Sequence, residues 1–209
     1  MKINTVTDLA LSGIQVARFS RFTDHRGYFT ETFRHSDVHP HIDLSVVQCN
    51  ESYSKKGTIR GLHFQWNPFM GKLVRTISGH MVDVVLDIRK DSVTFGQAIM
   101  YDMPASVEEN FQEWIWVPPG FAHGNFFLED TVIEYLCSGE YSQGCEAGIS
   151  PLAEDIKWTF CDQELLRKFT NLATSDDLII SDKDRDGLSV ASWFNNTNSK
   201  EFTLETTNV

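Results

Sequence analysis

The run HMVDVVLDIR, residues 80–89, constrains what this chain can become more than any other stretch. Side chains alternate across a strand, so Val82, Val84, Leu86 and Ile88 share one face while Asp83, Val85, Asp87 and Arg89 share the other. An apolar face backed by a partly polar one specifies a strand whose apolar side meets the core. ISG before the run and KDS after it supply the turns. Short alternating runs of this kind continue from about residue 14 to 155, and LSVVQCN, TIRGLHFQ, KLVRTI, EWIWV and TVIEYLCS read as further strands. VPPGFAHG reads as a loop or the approach to a strand, because two consecutive prolines have no place in a central ladder. The pattern predicts an all-β sandwich or barrel.

After DIKW the texture changes. DQELLRKFTNLA puts Leu165, Leu166, Phe169 and Leu172 at helical spacing and predicts one helix. The tail SWFNNTNSKEFTLETTNV is polar with isolated aromatics and is expected to be partly disordered. We expect one domain over 1–209, with a β core at 14–155 and a helical and irregular extension at 156–209; there is no internal repeat or low-complexity segment.

Composition narrows the function classes. No apolar run reaches the roughly 20 residues that cross a bilayer, and the first residues lack a signal-peptide pattern, so a soluble cytoplasmic protein without membrane contact is expected. Cys49, Cys137, Cys145 and Cys161 form no CxxC pair, which predicts reduced thiols rather than a zinc site or disulfide framework. A net charge of -11 offers no basic face for nucleic acid. Any anionic ligand must be held by a few local cations.

Several polar residues sit where strands normally place apolar ones. In strict alternation Arg60 and His63 would point to opposite faces, but an interior Gly61 marks a bulge that brings both to one cavity. Gln48 and Asn50, two apart, share a face and need partners there. His123 follows a rigid Pro-Pro turn, and Tyr135 and Tyr141 bracket YLCSGEY. Lys72 opens KLVRTI and by default reads as an exposed edge charge. A metal centre needs clustered ligands; GLHFQ has one histidine, and His35, His39 and His41 lie in a loop-like stretch, so no metal is predicted.

Taken together, FTDHRGYFTETF, QCNESYSKKGTIRGLHFQ, KLVRTISGHMVDVVLDIRKDSVTFG, WVPPGFAHG, EYLCSGEY and SDKD, in this order over roughly residues 19–184, resemble the dTDP-4-dehydrorhamnose 3,5-epimerase family. The resemblance implies a cupin-type jelly-roll barrel, usually a homodimer, that binds a nucleotide-diphosphate 4-keto-6-deoxy sugar without metal or organic cofactor. It implies His63 as base, Asp184 as the carboxylate that orients it, Tyr135 as general acid, and Lys72 facing the 4-keto oxygen. Arg26, Glu31, Gln48, Asn50, Arg60, His123, Glu146 and Lys183 match nucleotide, diphosphate or sugar contacts, with Arg60 and His123 offsetting diphosphate charge; Phe29 and Tyr141 match aromatics near the nucleobase.

The chemistry accounts for these residue types. A 4-keto group acidifies the hydrogens on C3 and C5, and inversion needs a base on one face and a proton donor on the other. Histidine titrates near working pH, and a carboxylate on its far nitrogen fixes its tautomer. Asp83 is a second candidate for that orienting role. The chain also departs from the family pattern: FMG precedes Lys72 where a glutamine two positions ahead is common, Asn125 follows AHG where an aromatic is usual, and 158–181 is longer than expected. These departures leave the nucleotide, the sugar, and inversion at C3 alone or at both carbons open. A catalytically silent sugar-nucleotide-binding cupin and a 3,4-ketoisomerase are the alternatives.

Overall fold

The computed structural model describes residues 1–207. In chain order the elements are β1 (Ile3–Asp8), β2 (Gln15–Ser20), β3 (Phe22–Asp24), β4 (Gly27–Phe29), α1 (His35–Val38), β5 (Gln48–Ser54), β6 (Ile59–Gln65), β7 (Lys72–Ser78), β8 (His80–Asp87), β9 (Ala98–Pro104), β10 (Phe111–Val117), β11 (Phe121–Phe127), β12 (Thr131–Cys137), β13 (Glu146–Gly148), α2 (Gln163–Ala173), α3 (Asp182–Arg185) and α4 (Val190–Phe194). One antiparallel sheet runs β1-β2-β10-β7-β12-β5 and a second runs β13-β6-β11-β8-β9, with β3 and β4 forming a separate hairpin.

β8 carries the seam between them, and both its faces are buried. Met81 and Val85 join Ile99, Phe121 and Phe127 of their own sheet with Val74, Ile115 and Ile133 of the other, so the partly polar row of β8 is the one that faces the sandwich interior. The apolar row, Val82, Val84 and Leu86, packs instead under residues beyond 148, including Ile149, Leu165, Phe169 and Trp193. The C-terminal extension is thus a third layer on the five-stranded sheet.

That layer begins with the predicted helix. Asp162 caps α2 by accepting from the backbone N–H of Glu164 and Leu165, and Phe169 meets the Phe126 ring at 5.5 Å. The expected disorder of the tail is corrected over 192–207, residues 208–209 lying outside the described residues: α4 and a 3-10 turn at Thr197–Glu201 hold Trp193 and Phe202 fully buried. Their rings stack edge to face on Phe64 of β6 at 4.5 and 5.5 Å, a partner too distant in sequence to be read locally.

Two further expectations change. β5 starts at Gln48 rather than Leu44, because Leu44 and Val46 pack with Trp114 and Trp116 over the outer face of the six-stranded sheet instead of joining a ladder. β7 lies between β10 and β12, so Lys72 belongs to an interior strand and is no edge charge.

The bulge at Gly61 is present. His123 pairs with His63 and Asn125 with Arg60, so three steps along β6 match two along β11. Gly61 has φ +102°, and a Cβ there would stand 2.5 Å from Gly124 Cα and 2.7 Å from His123 O. The extra residue brings Arg60 and His63 onto one side of the sheet.

Gly61→Ala is expected to cost at least about 2 kcal/mol of unfolding free energy in chemical denaturation. Gly144→Ala, at a positive φ with open space around it, is expected to cost about 1 kcal/mol. Trp193→Ala should lower stability by roughly 3–5 kcal/mol in the same measurement, which a disordered tail would not do.

Candidate active site

Where β5 and β13 end the two sheets, the sandwich interior opens into two adjoining hollows of about 550 and 140 Å³. His63, Lys72 and Tyr135 line both. His63 comes from the five-stranded sheet and Lys72 and Tyr135 from the facing one, so the three converge across the gap.

His63 is held from behind. Its Nε2 lies 2.6 Å from Oδ1 of Asp184, whose side chain is 8% exposed. Asp184 sits in α3, where the Ser181 hydroxyl accepts from its backbone N–H, and the segment before α3 is stitched to β6 by Ile59 N–H donating to Ile179 O. Burial alone would raise the Asp184 carboxyl, but the hydrogen bond and charge of His63, with the Gly61 N–H, outweigh it and hold it below the usual carboxylate range. A carboxylate can only accept, so Nε2 carries the hydrogen and Nδ1 is the basic nitrogen. Gly148 leaves room for the ring, since a Cβ there would come within 3.1 Å of His63 Cδ2.

A second histidine and carboxylate lie beside the first. His123 Nε2 is 2.7 Å from Oδ2 of fully buried Asp83, and Asn125 Nδ2 donates to the same oxygen at 3.2 Å. Asp83 therefore orients His123 and Asn125, while Asp184 serves His63. Asp83 Oδ1 is buried without a partner among the described residues. Burial pushes the Tyr135 phenol up and so keeps its proton on, and burial pushes the Lys72 ammonium down against the pull of Cys137, Asp83 and Glu146.

Gln48, Asn50, Tyr141, Glu146 and Lys183 line the larger hollow. Tyr141 Oη and Lys183 Nζ both donate to Glu146 Oε1, at 2.9 and 3.0 Å, and Gln48 Oε1 accepts from the Tyr141 backbone N–H at 2.8 Å. For Glu146 burial acts upward, yet the Lys183 and Tyr141 bonds leave its carboxyl below the ordinary range. Arg60, His123 and Asp184 line the smaller hollow, with His123 buried and Arg60 exposed. Arg26, Phe29 and Glu31 line neither: Arg26 pairs with Asp24 at 2.7 Å on the exposed β3–β4 hairpin, Phe29 is 65% exposed, and Glu31 is paired with the Met1 amino group and Arg34. Ser52 is a lining residue that sequence reasoning passed over, although it continues the Gln48 and Asn50 face at the same spacing. Met70 also lines the larger hollow and carries no such signal. Among the described residues no group of three or more His, Cys, Asp or Glu side chains is arranged to hold a metal ion, and no helix is long and apolar enough to cross a membrane.

Residues 8–192 match the family model described as dTDP-4-dehydrorhamnose 3,5-epimerase. An enzyme of that name from Methanothermobacter thermautotrophicus is 38% identical over 180 residues, covering 84% of this chain and 89% of its own. One from Sinorhizobium fredii is 41% identical over 145 residues, covering 68% and 72%. The crystal structure of the Sulfolobus tokodaii dTDP-4-dehydrorhamnose 3,5-epimerase superposes with a TM-score of 0.74 at 34% identity over 91% of this chain and 97% of that one. A Legionella pneumophila 3,5-epimerase in complex with dTDP-4-keto-L-rhamnose gives a TM-score of 0.77 at 26% identity, over 93% and 96%. On these grounds the chain, with its cupin-type jelly roll, is an isomerase and belongs to the dTDP-4-dehydrorhamnose 3,5-epimerase family.

Proposed function

We propose that the cleft inverts C3, or C3 and C5, of a nucleotide-diphosphate 4-keto-6-deoxy sugar such as dTDP-4-dehydro-6-deoxyglucose, with His63 as base and Tyr135 as acid. The observation that carries this reading is an imidazole backed by a buried carboxylate on one sheet, facing a protonated phenol on the other, with a lysine lining the same gap. His63 Nδ1 removes the hydrogen beside the ketone, and the electron pair moves onto the 4-keto oxygen as an enolate. Lys72 stabilises that oxyanion, an effect of about 3 kcal/mol by comparison with other oxyanion donors. Tyr135 then delivers a proton to the opposite side of the carbon, and solvent resets both groups. Gln48, Asn50, Tyr141, Glu146 and Lys183 bind the nucleotide side in the larger hollow.

We further infer a cytoplasmic homodimer. Arg26, Phe29 and Glu31 are contacts implied by the family resemblance, yet they lie outside the cleft of their own chain. The hairpin that carries Arg26 and Phe29 exposes Phe22, Tyr28 and Phe29, an aromatic surface suited to a second copy's cleft.

In D2O, wild-type protein should incorporate deuterium at C3, and at C5 if both centres react. His63→Ala should lower exchange by roughly 10²–10⁴-fold, while Tyr135→Phe should keep part of the exchange and lose inversion. Absence of exchange above background identifies a binding module, and migration of the ketone to C3 identifies a ketoisomerase. Light scattering should give twice the 23.8 kDa chain mass. Mixing inactive His63→Ala and Arg26→Ala chains should restore about one working site in four if the hairpin serves the partner's cleft; no recovery removes that arrangement.

A further inference from the structure

Asn125 is an amide in an interior row of β11 whose other members near it are Phe121, His123 and Phe127. It is 6% exposed and lines the smaller hollow, beside Ser52, Arg60 and the shared trio of His63, Lys72 and Tyr135. Across the sheet it stands opposite Asp83 on β8 and Arg60 on β6. Its Nδ2 donates to Asp83 Oδ2, and because a carboxylate only accepts, this bond settles which way the amide points. The amide oxygen makes no hydrogen bond among the described residues and is not one of the fully enclosed unpartnered polar atoms, and its residue lines the hollow. A free acceptor on a nearly buried residue that lines a cavity, with its amide fixed in direction by a carboxylate, is available to a donor on a ligand.

The sizes of the two hollows say which part of a substrate meets it. The trio lines both, so the reacting carbon belongs at their junction. The larger hollow has room for the nucleotide diphosphate, and the 140 Å³ one holds only a few non-hydrogen atoms, the substituents on the ketone side of the ring. In a 4-keto-6-deoxy sugar the carbons flanking the ketone bear a hydroxyl at C3 and a methyl at C5. The C3 hydroxyl is the donor among these.

Resting on the epimerase reading above, we propose that Asn125 is a specificity-determining residue: its amide oxygen accepts a hydrogen bond from the C3 hydroxyl, so the chain selects 4-keto sugars that retain that hydroxyl. Asp83 is the positioning residue that holds the amide in this direction. Since Asp83 also holds His123, one carboxylate aligns two neighbouring groups of the hollow.

The test compares dTDP-4-keto-6-deoxyglucose with its 3-deoxy counterpart. Binding is read by calorimetry, and exchange at C3 is read by NMR in D2O. Wild-type protein should favour the hydroxylated ligand by about tenfold or more in Kd and in kcat/KM. Asn125→Leu, similar in size and without polar atoms, should bring the two ligands to within about threefold by weakening the hydroxylated one alone. Asn125→Ser, which is too short to reach the sugar, should do the same and serves if the leucine variant does not fold. Discrimination that persists in the variants overturns the proposal. So does an equal loss on both ligands, which would mean that the amide acts only through Asp83 and His123. Wild-type protein that shows the Asn125-dependent binding preference without any exchange would retain this assignment and remove the epimerase reading.

Discussion

β6 and β11 approach each other at Gly61 and Gly124 so closely that a side chain on either would meet the other strand's backbone. That approach is possible only because both residues lack Cβ, and it absorbs the extra residue of β6 as a bulge. Without it, the alternation of a regular strand would send Arg60 to the opposite side from His63. The same contact places the Gly61 N–H within 3.4 Å of Asp184 Oδ2, so the backbone irregularity also helps hold the carboxylate that orients the histidine. The geometry of the cleft follows from a packing constraint between two glycines.

An interior lined with ionisable groups must be satisfied from within, because removing a carboxylate from water without partners costs several kcal/mol. Here the cost is spread over shared acceptors. Asp184 takes the His63 ring and a backbone N–H, Asp83 takes His123 and Asn125, and Glu146 takes Tyr141 and Lys183. Each acid therefore takes two donors: both from β6 for Asp184, both from β11 for Asp83, and one from the loop before β13 and one from α3 for Glu146. The cleft gains rigidity from this sharing, which suits chemistry that depends on a base and an acid held at opposed sides of one carbon. Lys72 is the exception: burial depresses it, and it is a group whose charge an oxyanion in the cleft would favour.

The C-terminal layer links stability to the site. Trp193 and Phe202 pack on Phe64 of β6, one residue beyond His63, while α3 from the same extension supplies Asp184. Docking the extension thus both covers the outer face of the five-stranded sheet and delivers the carboxylate to the inner one. The orienting acid comes from a segment whose own helix is a single turn, so its placement rests on that docking rather than on helix propensity.

Much of the β core was legible from local pattern. The alternating runs, the turn residues, the helix over 163–173 and the bulge at Gly61 all depend on neighbours a few residues apart. The chemical types in the cleft were legible too, since amides, a histidine and a lysine in strand interiors mark a polar cavity. Pairing was not. His63 and Asp184 lie 121 residues apart, and no spacing rule joins them; the family resemblance alone suggested it. Nor did alternation say which row of β8 faces inward, or that the aromatics of a polar tail would be fully buried. Periodicity and turn chemistry were determined by the sequence by itself, because they reflect steric preferences of adjacent residues. Which carboxylate meets which histidine, and which face is interior, were decided only by the tertiary structure, because they depend on how distant surfaces exclude water together.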